Sequence, residues 1–181
     1  MALDWFIPLN LTGCPGVCPE KWTKINEEGK GVAWGARNDS HGKWHVPTRV
    51  CGRKLKLQHR SGGVSCSDKG GISNFGCGAS SDSSHIALYV TMGKDPGDAI
   101  VPRPGDPKVK FQGMQWKGMY FLSGFNSMSP YLELDLPMVI DNSYFCFEEG
   151  TEYQLWYGED MYDYAESDNN GTAYTDIYIR S

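Results

Sequence analysis

The run Ala173-Tyr-Thr-Asp-Ile-Tyr-Ile179 sets Ala173, Thr175, Ile177 and Ile179 on one side of an extended chain and Tyr174, Asp176 and Tyr178 on the other. A period of two marks a half-buried strand, because successive side chains of an extended backbone point to opposite faces. Leu132-Glu-Leu-Asp-Leu136 repeats the pattern, with leucines on one face and carboxylates on the other. Outward from these two, the second taken as Tyr131–Leu136, Lys54–His59, His85–Met92, Gly118–Leu122 and Tyr153–Tyr157 also read as strands. Turn-rich connectors separate them, notably 61–78 and 95–107, the second with Pro-Gly-Asp twice. No comparably long segment carries helical periodicity behind a capping residue. The pattern predicts an all-β protein, a β-sandwich of jelly-roll or related type.

A chain of 181 residues fits one domain. We expect residues 1–20, with prolines flanking Cys14 and Cys18, to form an irregular lead tied down by a disulfide, and 21–181 to form the sandwich. No apolar stretch is long enough for a membrane-spanning helix, so membrane insertion is not expected. The first twenty residues carry neither a basic start nor a long apolar run, so no signal peptide is expected there. The net charge of −5 hides an asymmetry: residues 21–69 hold eleven of the seventeen Lys and Arg, and 133–176 hold twelve of the twenty-two Asp and Glu with no Lys or Arg. A chain this acidic is a poor nucleic-acid partner.

The six cysteines, Cys14, Cys18, Cys51, Cys66, Cys77 and Cys146, can pair in fifteen ways, and sequence does not choose among them. Zinc would need a second paired unit to match Cys14 and Cys18, and none is present. Disulfides and an extracellular setting are the expectation, with a mature secreted domain behind an added start Met reconciling this with the missing signal. Asn10, Asn38 and Asn170 begin glycosylation triplets.

The acidic run after Tyr157 calls for explanation. Glu159, Asp160, Asp163, Glu166 and Asp168 crowd one connection between adjacent strands. Carboxylates a few ångströms apart raise one another's pKa, so a cation is expected to offset the repulsion. Calcium takes oxygen ligands from carboxylates, Asn side chains and backbone carbonyls. Asp160, Asp168 and Asn169 offer such oxygens, and Gly171 permits the tight return. The spacing is not that of an EF-hand loop, and no His or Cys accompanies it. A merely solvated acidic hairpin is the alternative reading.

The segment 155–179, LWYGEDMYDYAESDNNGTAYTDIYI, resembles the C-terminal calcium hairpin of the calcium-dependent galactose-binding lectin of pseudomonads. That hairpin has a strand ending in Tyr-Asn-Asp, a short loop, Asn-Asn-Ser-Gly, and a last strand of alternating apolar residues. The resemblance implies Asp160 as the first side-chain calcium ligand, Asp168 and Asn169 as the consecutive pair, and a carbonyl near Tyr164 as the mid-loop ligand. The loop is one residue longer here, and the first Asn of the pair is Asp168. Upstream, Gly31-Val-Ala-Trp34-Gly-Ala-Arg37 followed by Lys43-Trp44 resembles the end of that family's first strand, which implies the Arg37 carbonyl as a further ligand and His45 or His41 as a sugar contact. Over residues 44–181 the chain also resembles extracellular domains of coral and sea-anemone proteins, some from the skeletal organic matrix, which share runs like Trp-Tyr-Gly-Glu-Asp and a segment like Val50–Leu55.

The resemblance implies a β-sandwich of galactose-binding type whose bound sugar ligates Ca2+ through two vicinal hydroxyls. The apolar face of a sugar ring packs on aromatic surface, so Tyr157, Tyr162, Tyr164 and Trp34 are candidates, with Trp156 expected to face the core. Galactose-type sugars are the analogy-based expectation, and a homo-oligomer would add avidity. Two other classes remain open. An enzyme would need two carboxylates across a cleft or a nucleophile elbow; Glu133 and Asp135 share one strand face, no elbow occurs, and catalysis is not expected. A structural matrix or adhesion module would use calcium only for stability, and Arg49, Arg53, Lys54, Lys56 and Arg60 could then meet acidic glycans, independently of calcium and sensitive to salt.

Overall fold

The computed structural model describes residues 21–67, 71–78, 85–113, 117–138 and 144–181, with only the backbone of Glu166. The expected lead at 1–20, with Cys14, Cys18 and Asn10, lies outside the described residues. In chain order the strands are β1 (Trp22–Lys24), β2 (Val32–Gly35), β3 (Gly42–His45), β4 (Val50–Gly52), β5 (Lys54–Ser65), β6 (Leu88–Thr91), β7 (Ala99–Val101), β8 (Val109–Phe111), β9 (Tyr120–Leu122), β10 (Tyr131–Asp135), β11 (Phe145–Phe147), β12 (Glu152–Tyr157) and β13 (Asn170–Arg180). All their pairings are antiparallel. One sheet runs β1-β13-β5-β10, with β2 beside β1 on the same edge of β13; the other runs β3-β12-β6-β7. Two ribbons, β4 with β11 and β8 with β9, flank them.

The alternation read in AYTDIYI holds for the inward set, whereas Asp176 on the other side is also buried, at 7% exposure, and paired with Lys24. Ala173, Thr175, Ile177 and Ile179 are buried, while Tyr174 is 42% exposed. In register, Leu57 lies opposite Ile177 and Leu132, and Leu55 opposite Ile179 and Leu134, giving an aliphatic ladder across three strands. Each such side chain contributes about 1.5–3 kcal/mol by leaving water. Tyr153, Leu155 and Tyr157 of β12 and Leu88 and Val90 of β6 join the same core. Among the described residues two disulfides brace it: Cys51–Cys146 joins directly opposed residues of β4 and β11, and Cys66–Cys77 ties the end of β5 to the segment that follows it.

All six expected strands are present, and β5 differs most from its expected length. It runs on through Ser61-Gly-Gly-Val-Ser65, which reads in sequence as a turn. Gly62 has φ +73°, and a Cβ there would strike the Thr172 carbonyl; one on Gly63 would press on Ser73 and Ile72. The glycines allow backbones to approach closely within a sheet and do not end the strand.

Candidate functional site

The acidic segment begins where β12 ends. One turn of helix, α1 (Gly158–Met161), follows Tyr157, and its first amide donates to the Ala87 carbonyl at 2.6 Å. Gly158 packs backbone-to-backbone on Gly118, so a Cβ on either would collide with the other. The Tyr164 amide then donates to the Glu159 carbonyl at 2.9 Å, and Asp163 and Ala165 take positive φ to turn the chain. A 3-10 turn, Glu166–Asp168, delivers Asn169 to the head of β13.

The loop joining β2 to β3 faces this hairpin. Its tight turn, with the Gly35 amide donating to Ser40 and Asn38 and Asp39 at positive φ, brings two groups to bear. The Asp39 amide donates to Asp160 Oδ1 at 2.9 Å, and Asn169 Nδ2 donates to the Ala36 carbonyl at 3.1 Å. A third connection joins at the rim: Lys94 Nζ reaches Asp39 Oδ1 at 2.6 Å and Asp163 Oδ1 at 3.1 Å. Those hydrogen bonds hold the Lys94 ammonium well above the ordinary lysine pKa.

Three polar side chains of the hairpin are shut away from water. Asp160 and Asn169 are fully buried and Glu159 is 4% exposed. Glu159 Oε2 and Asn169 Oδ1 are buried acceptors with no hydrogen-bond partner, an arrangement that costs about 1–3 kcal/mol per group. Burial pushes the Glu159 carboxyl up to about 7; hydrogen bonding with Asn169 opposes this and the Asp168 charge adds to it. Burial, then Glu159 and Asp168, likewise hold the Tyr157 phenol well above its usual range. Glu159, Asp168 and Asn169 therefore form one electrostatic unit. Among the described residues, no group of three His, Cys, Asp or Glu is assembled as a metal cluster. The oxygens on this hairpin and its facing loop are mixed: carboxylates, the Asn169 amide oxygen and the Ala36 carbonyl. All are hard oxygens, and two are buried acceptors lacking donors, so the chemistry of the set fits calcium. Glu159 was not among the expected ligands; its place in the crowded acidic run was the available signal.

The sequence-derived candidates divide. Asp160, Asp168 and Asn169 lie on one hairpin, with Asp168 and Asn169 both acting on Glu159, and Tyr164 sits half-buried in the same loop. The Arg37 side chain is exposed, and the carbonyl that accepts from Asn169 Nδ2 is that of its neighbour Ala36. Trp34 and Tyr157 are not sugar platforms. Both are buried in the core with their rings stacked at 6.4 Å, and the Tyr157 hydroxyl donates to the Gly76 carbonyl. The orientation expected for β12 is reversed: Tyr157 joins Tyr153 and Leu155 inside, and Trp156 lies on the outer face. It is nevertheless buried, because the His41 ring stacks on it at 4.1 Å, with Lys94 Nζ 5.9 Å from its centroid. His45 pairs with Glu152 at the opposite end of β12, about 16 Å along the strand from the hairpin at ~3.3 Å per residue. His41 is the histidine at this end, with Nδ1 2.9 Å from the Asp39 carbonyl and Nε2 unpartnered. Tyr162 turns away to a cavity of about 460 Å³ that it shares with Tyr89, Pro102 and Phe111.

No family model and no curated relative matches the chain. Among solved structures, AJLec from the sea anemone Anthopleura japonica matches with a TM-score of 0.72 and 24% sequence identity, over 88% of this chain and 96% of that chain. The likeness is one of fold: an antiparallel sandwich carried through nearly the whole of both chains.

Proposed function

We propose that the protein is an extracellular, calcium-dependent carbohydrate-binding protein, a lectin and not an enzyme, with galactose-type sugars as its ligands. The observation that carries the reading is the set of desolvated oxygen acceptors gathered by α1, the 3-10 turn and the β2–β3 loop. Support comes from the shared fold with the sea-anemone lectin AJLec. The two disulfides support an oxidising compartment.

In this reading Asp160, Asp168, Asn169 and Glu159 hold the calcium with the Ala36 carbonyl. When bound, calcium supplies a hard Lewis-acid centre that accepts two vicinal sugar hydroxyls in place of water. The chain's own residues supply the rest. The Asp39 amide fixes the Asp160 carboxylate, and Lys94 clamps the loops on either side. His41 walls this end of the site, its ring held flat on Trp156 and its Nδ1 on the Asp39 carbonyl. An oligomer would multiply the affinity of such a site.

A second reading has its own observation. Asp160 and Asn169 each bond the facing loop, so a cation among them would staple the β2–β3 connection to the hairpin with no sugar involved. Titrating the wild type separates the two, and Asp168→Ala tests the site that both share. Calorimetric titration with calcium and then with galactose is expected to lose both heats in the variant, with the circular dichroism spectrum unchanged. Retention of both heats would overturn the assignment, and a calcium heat in the wild type with no sugar heat would favour the staple.

A further inference from the structure

A second, positively charged pocket lies at the other end of the sandwich. Arg180 pairs with Lys54 where Asn170 pairs with Ser65 at the hairpin, so β13 separates the two ends by roughly 30 Å at ~3.3 Å per residue. A cavity of about 350 Å³ opens there between the β4–β11 ribbon, the end of β10 and the segment after β7. Arg53, Lys54, Arg103 and Asp135 line it, with Leu136, Pro137, Met138 and Tyr144 among its apolar walls.

The charges do not balance. Lys54 and Lys108 share Asp135, at 3.6 and 2.6 Å, and the Asp106 carboxylate accepts the Lys108 amide. Burial opposes ionisation of Asp135, but the two lysines outweigh it and hold its pKa below the ordinary value. Arg53 and Arg103 have no ion pair among the described residues. The Arg53 guanidinium lies over the Tyr144 ring, 4.7 Å from its centroid, which holds the cation in place without neutralising it. Arg103 is half-buried, and its Nε is sealed from solvent without a hydrogen bond. Two guanidiniums without an ion pair among the described residues line one concavity, a setting suited to an oxyanion. Around them Tyr144 is 43% exposed and Met138 70% exposed, offering the apolar surface that a pyranose ring packs against.

We infer that this pocket binds an anionic sugar residue, a sulfate ester or a uronate within a glycan, through Arg53 and Arg103 with Tyr144 under the ring, and that it does so without calcium. The site is independent of the hairpin. Its volume suits one sugar residue and stands at the small end of ligand sites.

The test is biolayer interferometry of the full chain in excess chelator, which silences the hairpin. Keratan sulfate oligosaccharides carry sulfate without uronate, unsulfated chondroitin oligosaccharides carry uronate without sulfate, and dextran carries neither. Binding to at least one of the anionic probes and not to dextran is expected, weakening as salt rises; the probe that binds names the oxyanion. Arg53→Gln/Arg103→Gln should lose about tenfold or more, the scale expected for two charge-assisted contacts. Met138→Glu places a negative charge on the exposed rim without touching the core, and should weaken binding even if the double variant folds poorly. Arg60→Gln, on a side chain paired with Asp176 elsewhere, should change nothing. Failure of both anionic probes, or an equal loss in Arg60→Gln, would overturn the assignment, the latter by showing diffuse surface charge.

Discussion

Replacing Glu159 by glutamine removes the carboxyl that the fold buries most awkwardly. In the metal-free protein its pKa stands near 7 against an ordinary 4.5, so the folded state holds the proton more tightly than the unfolded chain does. Stability from this group is therefore fully present below pH 4.5 and is lost as pH rises to about 7. At 1.36 kcal/mol per pKa unit the full loss is about 3 kcal/mol, of which about 2–3 falls between pH 5 and pH 8. Glutamine keeps the shape and cannot ionise. In excess chelator the variant should thus gain on the wild type by about 2–3 kcal/mol as pH rises from 5 to 8. Urea unfolding at four pH values gives that difference directly, and other titrating groups cancel in it. With calcium present the ranking should reverse, because the wild-type carboxylate then meets a cation and the amide does not. A stability difference independent of pH would refute the reasoning, since it would show a Glu159 that titrates as an exposed carboxylate.

His41→Ala removes the ring stacked on Trp156 and its hydrogen bond to the Asp39 carbonyl, which together hold the β2–β3 loop against β12. Calorimetry should show sugar affinity falling by about tenfold, the worth of one good hydrogen bond with its packing, while calcium affinity stays within about twofold. Cys51→Ser/Cys146→Ser opens a bridge spanning 95 positions and should cost about 2–5 kcal/mol in urea unfolding. Calcium binding should persist in the surviving folded fraction, because the bridge lies toward the other end of the sandwich.

The sequence made the sandwich legible wherever a strand was long and faced water on one side. Leu132-Glu-Leu-Asp-Leu136 and Ala173–Ile179 lie in the sheets as their alternation requires. Strands of three or four residues, such as β1, β4 and β11, are too short for a period to emerge. The hairpin's candidate ligands were readable because carboxylates crowded together demand an explanation. Which aromatic at the end of β12 turns outward was not readable, for a physical reason. At the end of β12 both faces of the sheet are covered, so Trp156 and Tyr157 are equally hydrophobic choices and the pattern carries no sign. Only the position of the β2–β3 loop, which lays His41 over Trp156, decides which residue faces out. The same loop turn brings the Ala36 carbonyl, and not that of Arg37, to Asn169. A backbone register of this kind is set by two positive-φ residues, Asn38 and Asp39, and not by any side-chain pattern. Arg53 and Arg103, fifty positions apart in sequence, meet only because β7 and β10 return the chain to the β4–β5 corner.

A glycan array probed with the full-length protein in calcium, in excess chelator, and in chelator followed by added calcium tests the central claim most directly. The account predicts binding to galactose-terminated glycans in calcium, loss in chelator and recovery when calcium returns. Galactoside binding that persists through chelation, or its absence in all three conditions, would contradict it.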